Sequence, residues 1–301
     1  MQENKNPYNT VFLIFKSDII INMKERLEMQ RIENDLLIAD AYKKSAEIYN
    51  PIKMEDFAGT YGESKIHDDK ARVEELRAIF KENHKDDTAE MKNIHRIAKI
   101  FEMIFFDQAG TSKWLGEHAK TLQVSKYDDL ENGVDSVVEF TPDGGYSLLA
   151  LAVDITSSHE LGRKFDRIKH EIDNGKLTEL SYFKSEAFNF MGRKFNIPRV
   201  VIGADRKVLF DLMEKWLDKD KTALAEHIIQ VIIIEEIVDQ LEVFIKYAES
   251  KGKQNIADIY KETLSVLMRI KKESNVPEDV LYNAREDHVF DAIRKCFSNF
   301  E

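Results

Sequence analysis

The chain is predicted to be an α/β (α+β) protein with a mixed sheet in its middle and helical regions at both ends. Three observations predict this. Residues 134–140 (VDSVVEF) and 147–156 (SLLALAVDIT) are apolar, strand-length runs separated by Pro142-Asp143-Gly144-Gly145, residues that favour a tight turn. Helical periodicity flanks them on both sides. Outside residues 119–203 the apolar residues recur at three- and four-residue spacing.

From the start, VFLIFKSDIIIN (residues 11–22) reads as a strand or helix docking on the core, because Lys16 and Asp18 interrupt it and it is too short for a membrane span. No charged leader or small-residue cleavage site frames it as a signal peptide. Residues 23–48 predict a charge-rich helix with Leu27, Ile32, Leu36 and Leu37 on one apolar face. Residues 50–70, with Pro51 and two glycines, read as a loop, and 70–83 as a helix. Asp87 and Glu90 form a capping pair opening a long helix up to Gly110. A short helix at 111–118 and a first strand at 119–125 follow.

After the two central strands, Ser158 caps a helix that ends at Asn174-Gly175 and turns Leu161, Phe165, Ile168 and Ile172 inward. Strands are predicted at 178–184 and 198–203, and helices at 205–217, 222–250, 254–273 and 277–299, the last capped from Asn275 ahead of Pro277. The run from Ile228 to Phe244 is apolar on more than one face, so it belongs in a core or in the interface of a homodimer. The expected organisation is a mainly helical region at 1–86, an α/β core at 87–218 and a helical region at 219–301.

Composition narrows the function classes. With a formal charge of −11 the chain is not a whole-surface polyanion binder. Residues 163–207, however, hold 11 Lys/Arg against 6 Asp/Glu, while 208–301 hold 13 against 19. The single cysteine, Cys296, excludes an internal disulfide, and no Cys/His cluster has zinc spacing, which fits a cytoplasmic protein.

Candidate chemistry centres on two aspartates. Alternation along a strand puts Ala150, Ala152, Asp154 and Thr156 on one face. Pairing through the 141–146 turn brings the start of one strand to the end of the other, so Asp135 and Asp154 should meet. Two facing carboxylates repel, and favour a hard divalent cation, Mg²⁺ or Mn²⁺.

The order of elements and these residues resemble the PD-(D/E)XK nuclease superfamily, with its restriction-endonuclease-like core of helix, three-strand meander, helix and strand. The resemblance covers about residues 88–204. Gly133-Val134-Asp135 fits the second-strand motif, with valine where proline is usual. Asp154-Ile155-Thr156 fits the third-strand motif, with Thr156 where lysine is expected. The resemblance implies metal ligation by Asp135, Asp154 and a first-helix acid, Glu102 or alternatively Glu117. It further implies that Lys164, or else Lys169, replaces the missing motif lysine from the next helix. His159 is a candidate phosphate contact, and Glu160 beside it reads as a first-turn helix residue. The stretch from Asn132 to Lys176 also looks like a family of uncharacterised bacterial proteins.

The implied function is Mg²⁺- or Mn²⁺-dependent cleavage of nucleic acid, DNA in the first instance. Lys169, Lys184, Arg193, Lys194 and Arg199 would engage phosphates. The alternative is an inactive scaffold of the same fold that binds nucleic acid or a protein.

Overall fold

The computed structural model describes residues 7–141, 149–156, 161–274 and 276–301; side chains are described from residue 24 onward, apart from 149–156 and 278–279. The chain is an α+β protein. Its helices in order are α1 (Pro7–Ile48), α2 (Ala58–Tyr61), α3 (Glu63–Asn83), α4 (Ala89–Thr111), α5 (Lys126–Leu130), α6 (Gly162–Asn174), α7 (Arg206–Leu217), α8 (Lys221–Ala225), α9 (Ile229–Ser250), α10 (Gln254–Ser274), α11 (Glu278–Arg285) and α12 (His288–Lys295). The strands are β1 (Ala119–Gln123), β2 (Ser136–Phe140), β3 (Leu149–Thr156), β4 (Thr178–Ser185), β5 (Phe190–Ile197) and β6 (Arg199–Gly203).

The main sheet has the order β1-β2-β3-β6. Strands β1, β2 and β3 form an antiparallel meander, and β6 adds parallel to β3 after the crossover through α6. Strand β6 lies at an edge, where unpaired amides invite another strand. Here α9 closes that edge with side chains. Val201 N–H donates to Gln240 Oε1 at 2.9 Å, Gln240 Nε2 donates to the Val201 carbonyl at 2.6 Å, and Gly203 N–H donates to Glu236 Oε2 at 2.9 Å.

One large apolar cluster unites α4, α6, α7, α9 and α10 with β6 and the last turns of α1. Helix α9 is buried along both flanks because it lies between β6 and α10, so its unusual apolarity is consumed within the chain. A separate two-stranded sheet, β4-β5, carries two smaller clusters, one with Val124, Val134 and Val137 and one around Tyr182 against α3.

Helix α6 forms as its periodicity predicts. Leu161, Phe165, Ile168 and Ile172 are all buried, and Gly175 ends the helix at φ +66°, a left-handed conformation that glycine adopts without a Cβ penalty.

Elsewhere the fold departs from the sequence expectations. Residues 63–70 are the first turns of α3, not loop, since the glycines of this stretch fall before that helix and at the turn Gly62. The N-cap of α4 is Thr88, whose hydroxyl accepts from Met91 N–H, so Asp87 is freed for other partners. Residues 112–118 are turns, and α5 and β5 are additional elements. Residues 222–250 break after α8, and 277–299 break at Asp287, whose carboxylate caps α12 through Val289 and Phe290 N–H. Leu27, Ile32 and Leu36 are exposed on α1; among its described side chains, Leu37, Ile38, Ala41 and Ile48 toward its end join the core. The predicted turn at 142–146, and the caps Ser158 and Asn275, lie outside the described residues.

Among the described residues no helix is long and apolar enough to cross a membrane.

Candidate functional site

The register of the meander bears directly on the two aspartates. The β2–β3 ladder ends with Ser136 opposite Val153. Asp135 and Asp154 are the next residues beyond that pair, Asp135 in the coil just before β2, which starts at Ser136 and not at the predicted 134. Asp154 in turn pairs with Val201, and Thr156 with Gly203. Asp154 thus lies two residues before the shared carboxyl ends of β3 and β6, and Asp135 next to the adjoining end of the β2–β3 ladder. Asp135 is half-buried. The side chains of Asp154 and Thr156, and all of His159 and Glu160, lie outside the described residues.

The turn leading into Asp135 is held from below by arginines. Arg199 is buried, donating from Nη1 to the Gly133 carbonyl at 2.5 Å and from Nη2 to the Asn132 carbonyl at 2.6 Å. Its charge is met by Glu171 at 3.2 Å, and Glu171 also accepts from Thr178 Oγ1 at 2.9 Å. Arg167 donates to the Asn132 carbonyl as well, at 3.0 Å. Gly133 sits at φ +61°, and a Cβ there would come within 1.9 Å of Arg167 Nη1. Only glycine fits that close approach in a left-handed turn.

Arg199 is thus an internal brace beneath Asp135, and its burial corrects the expectation that it contacts phosphate. Of the other predicted basic contacts, Lys169 lies on α6 and Lys184, Arg193 and Lys194 lie on the paired strands β4 and β5. Lys169 donates to the Asn299 carbonyl at 2.6 Å and so ties α6 to the end of the chain. Lys184 stands 3.9 Å from Asp56. Arg193, exposed over Phe195, and half-buried Lys194 lie on β5 of the second sheet. Sequence proximity suggested one strip; the crossover instead leaves Lys169 on α6 and Arg199 buried in β6, apart from the three on the β4-β5 sheet. Lys164 is half-buried in the first turn of α6.

Glu102 is buried on α4, where Lys99 Nζ donates to Oε1 at 2.6 Å. Burial pushes its carboxyl up to about 7, against the pull of Lys99, while Asp129 raises it further and Lys126 lowers it. Lys126 and Lys99 both cover the Tyr49 ring at 4.7 Å. Its surroundings thus include a charged knot between α4, α5 and Tyr49, just past α1. Glu117 is exposed and paired with Lys113, which holds its carboxyl below the usual range.

The Glu102 carboxyl makes stability depend on pH. Its folded value exceeds the ordinary value near 4.5, so the native state holds this proton more tightly than the unfolded chain does. Stability is therefore lost as pH rises from about 4.5 through about 7, by roughly 3 kcal/mol at 1.36 kcal/mol per pH unit. Glu102→Gln should flatten that part of the profile. Urea unfolding of both proteins at pH 5 and pH 8 measures it, and equal pH slopes would refute the assignment.

No family model, curated protein or solved structure matches this chain. Function has to be argued from the residues themselves. The brace at Arg199 escaped sequence reasoning, although Asn132-Gly133 ahead of a strand is a visible sign of a demanding turn.

Proposed function

We propose that the chain is a divalent-metal-dependent phosphodiesterase of the nuclease type, with a restriction-endonuclease-like core formed by α4, β1–β3, α6 and β6. The observation that carries this reading is the β2–β3 register, whose last pair, Ser136 opposite Val153, is flanked by Asp135 and Asp154 near the carboxyl ends of β3 and β6. The element order supports it, since a helix, an antiparallel meander, a helix and a parallel strand occur in that sequence, with α5 and the β4-β5 sheet as insertions.

Asp135 and Asp154 would hold Mg²⁺ or Mn²⁺. Such an ion supplies an activated water and charge stabilisation at phosphorus. Asp135 is pre-positioned for this by the arginine-braced turn behind it. Lys164 would take the place of the lysine that Thr156 replaces, and DNA is the proposed substrate. Glu102 is left out of the ligand set because its carboxylate is engaged by Lys99.

Incubation with linear, circular and single-stranded DNA plus Mn²⁺ tests the proposal. Asp135→Ala and Asp154→Ala should each lower cleavage at least about a hundredfold, since an ion whose stabilisation is worth several kcal/mol is lost. Cleavage equal to wild type in both variants would sink it. Mn²⁺ binding that depends on Asp135, without any cleavage, would support a second reading, an inactive scaffold of this fold, which Thr156 at the lysine position favours.

A further inference from the structure

The corner between α3 and α4 gathers three side chains that the reading above does not use. His84 closes α3, Asp87 lies in the turn, and His95 stands in the second turn of α4. Their ligand atoms all fall within 4.8 Å of one another, the one such His/Cys/Asp/Glu group among the described residues. His84 Nδ1 is 3.0 Å from Asp87 Oδ2, and His95 Nε2 is 3.2 Å from the same oxygen.

We propose that His84, Asp87 and His95 form a binding site for a transition-metal dication of the Zn²⁺ class. Tetrahedral ligands with bonds of about 2.0–2.1 Å stand roughly 3.3 Å apart, and two of the three edges already have that length. The remaining edge closes by rotation of the two imidazoles, whose ring centres are 4.6 Å apart. Two imidazoles and one carboxylate select Zn²⁺, Co²⁺ or Ni²⁺ over Mg²⁺, which prefers oxygen.

The charge balance points the same way. The Asp87 side chain is only 6 % exposed, and the ion-pair partners it meets are these two histidines, which carry no charge unless protonated. A buried carboxylate calls for a compensating cation, and a dication coordinated in common supplies one. Phe80 packs against both rings, at 4.3 Å and 6.2 Å, and walls the corner on one side. His95 is 46 % exposed, which leaves an entry path and a fourth position for water. Bound metal would staple the end of α3 to α4 across the turn, where Thr88, and not Asp87, caps α4.

Titration of the full chain with Zn²⁺ by calorimetry, followed by Co²⁺ substitution and visible absorption, tests the site. One equivalent of Zn²⁺ and the intense visible bands of tetrahedral Co²⁺ are expected. His95→Ala, at a partly exposed position, should weaken binding at least tenfold, and Asp87→Asn should do the same. Circular dichroism confirms that each variant is folded. Asp135→Ala should retain the zinc equivalent, which separates this site from the one proposed for cleavage. No zinc bound at micromolar concentration, or unchanged binding in folded His95→Ala, would overturn the proposal. Zinc lost from Asp135→Ala but kept by His95→Ala would overturn it equally.

Discussion

Arg199→Met is expected to lower the unfolding free energy by about 3–5 kcal/mol, the usual cost of removing one partner from a buried ion pair. Methionine fills much of the space but leaves Glu171 without its cation at 3.2 Å and the Asn132 and Gly133 carbonyls without the Arg199 donors. Burial already raises the Glu171 carboxyl above its ordinary value, and Arg199 is the main force pulling it back. Without the arginine that value rises further, so the native state keeps a proton that the unfolded chain releases. Stability then falls with rising pH over a wider range, and the loss is larger at pH 8 than at pH 5. Urea midpoints at both pH values measure this. Arg199→Met combined with Glu171→Gln should recover part of the loss, because the uncompensated charge is gone. A loss below about 1 kcal/mol at pH 8 would show that the brace does not bear on the fold.

Asp128→Ala is expected to cost a similar amount, about 3–5 kcal/mol. The carboxylate accepts four hydrogen bonds: from Ser181 N–H at 2.7 Å, Tyr182 N–H at 3.0 Å, Asn132 Nδ2 at 2.8 Å and Ser125 Oγ at 2.7 Å. Its removal orphans two strand amides in the interior, at about 1–3 kcal/mol each. It also unties α5 from β4 and releases the Asn132 side chain. Burial raises this carboxyl, and the same four donors oppose the rise. Asp128→Asn keeps one acceptor oxygen, so its loss should be about half that of alanine. Hydrogen exchange at Ser181 and Tyr182 provides a local readout, and protection unchanged in the alanine variant would contradict the account.

Much of the local architecture was legible from residue order. The inner face of α6, its glycine stop, the apolar excess of α9 and the succession of strands 119–140 and 149–156 all follow from periodicity and turn chemistry, which are nearest-neighbour properties. Elements whose signals are weak or mixed were not legible. Strand β5, where Arg193, Phe195 and Asn196 are exposed, carries little apolar alternation, and α5 is too short for a helical period to show. The exposed leucines of α1 show the converse: a periodic face announces a helix, but whether anything covers it depends on where the rest of the chain ends up.

The candidate sites divide along the same line. Sequence alone placed the two strands in succession, because strand length and turn residues are local and consecutive strands pair. Asp154 lies on β3, while Asp135 lies just ahead of β2, which begins at Ser136. Only the tertiary structure decided what surrounds them. It sent Arg199 beneath the Gly133 turn instead of toward solvent, committed Glu102 to Lys99, and drew Asp87 from its predicted cap to two histidines. A charged side chain's partner is chosen by burial and by which opposite charge is brought within reach. Both are set by the packing of elements far apart along the chain, which residue spacing does not encode.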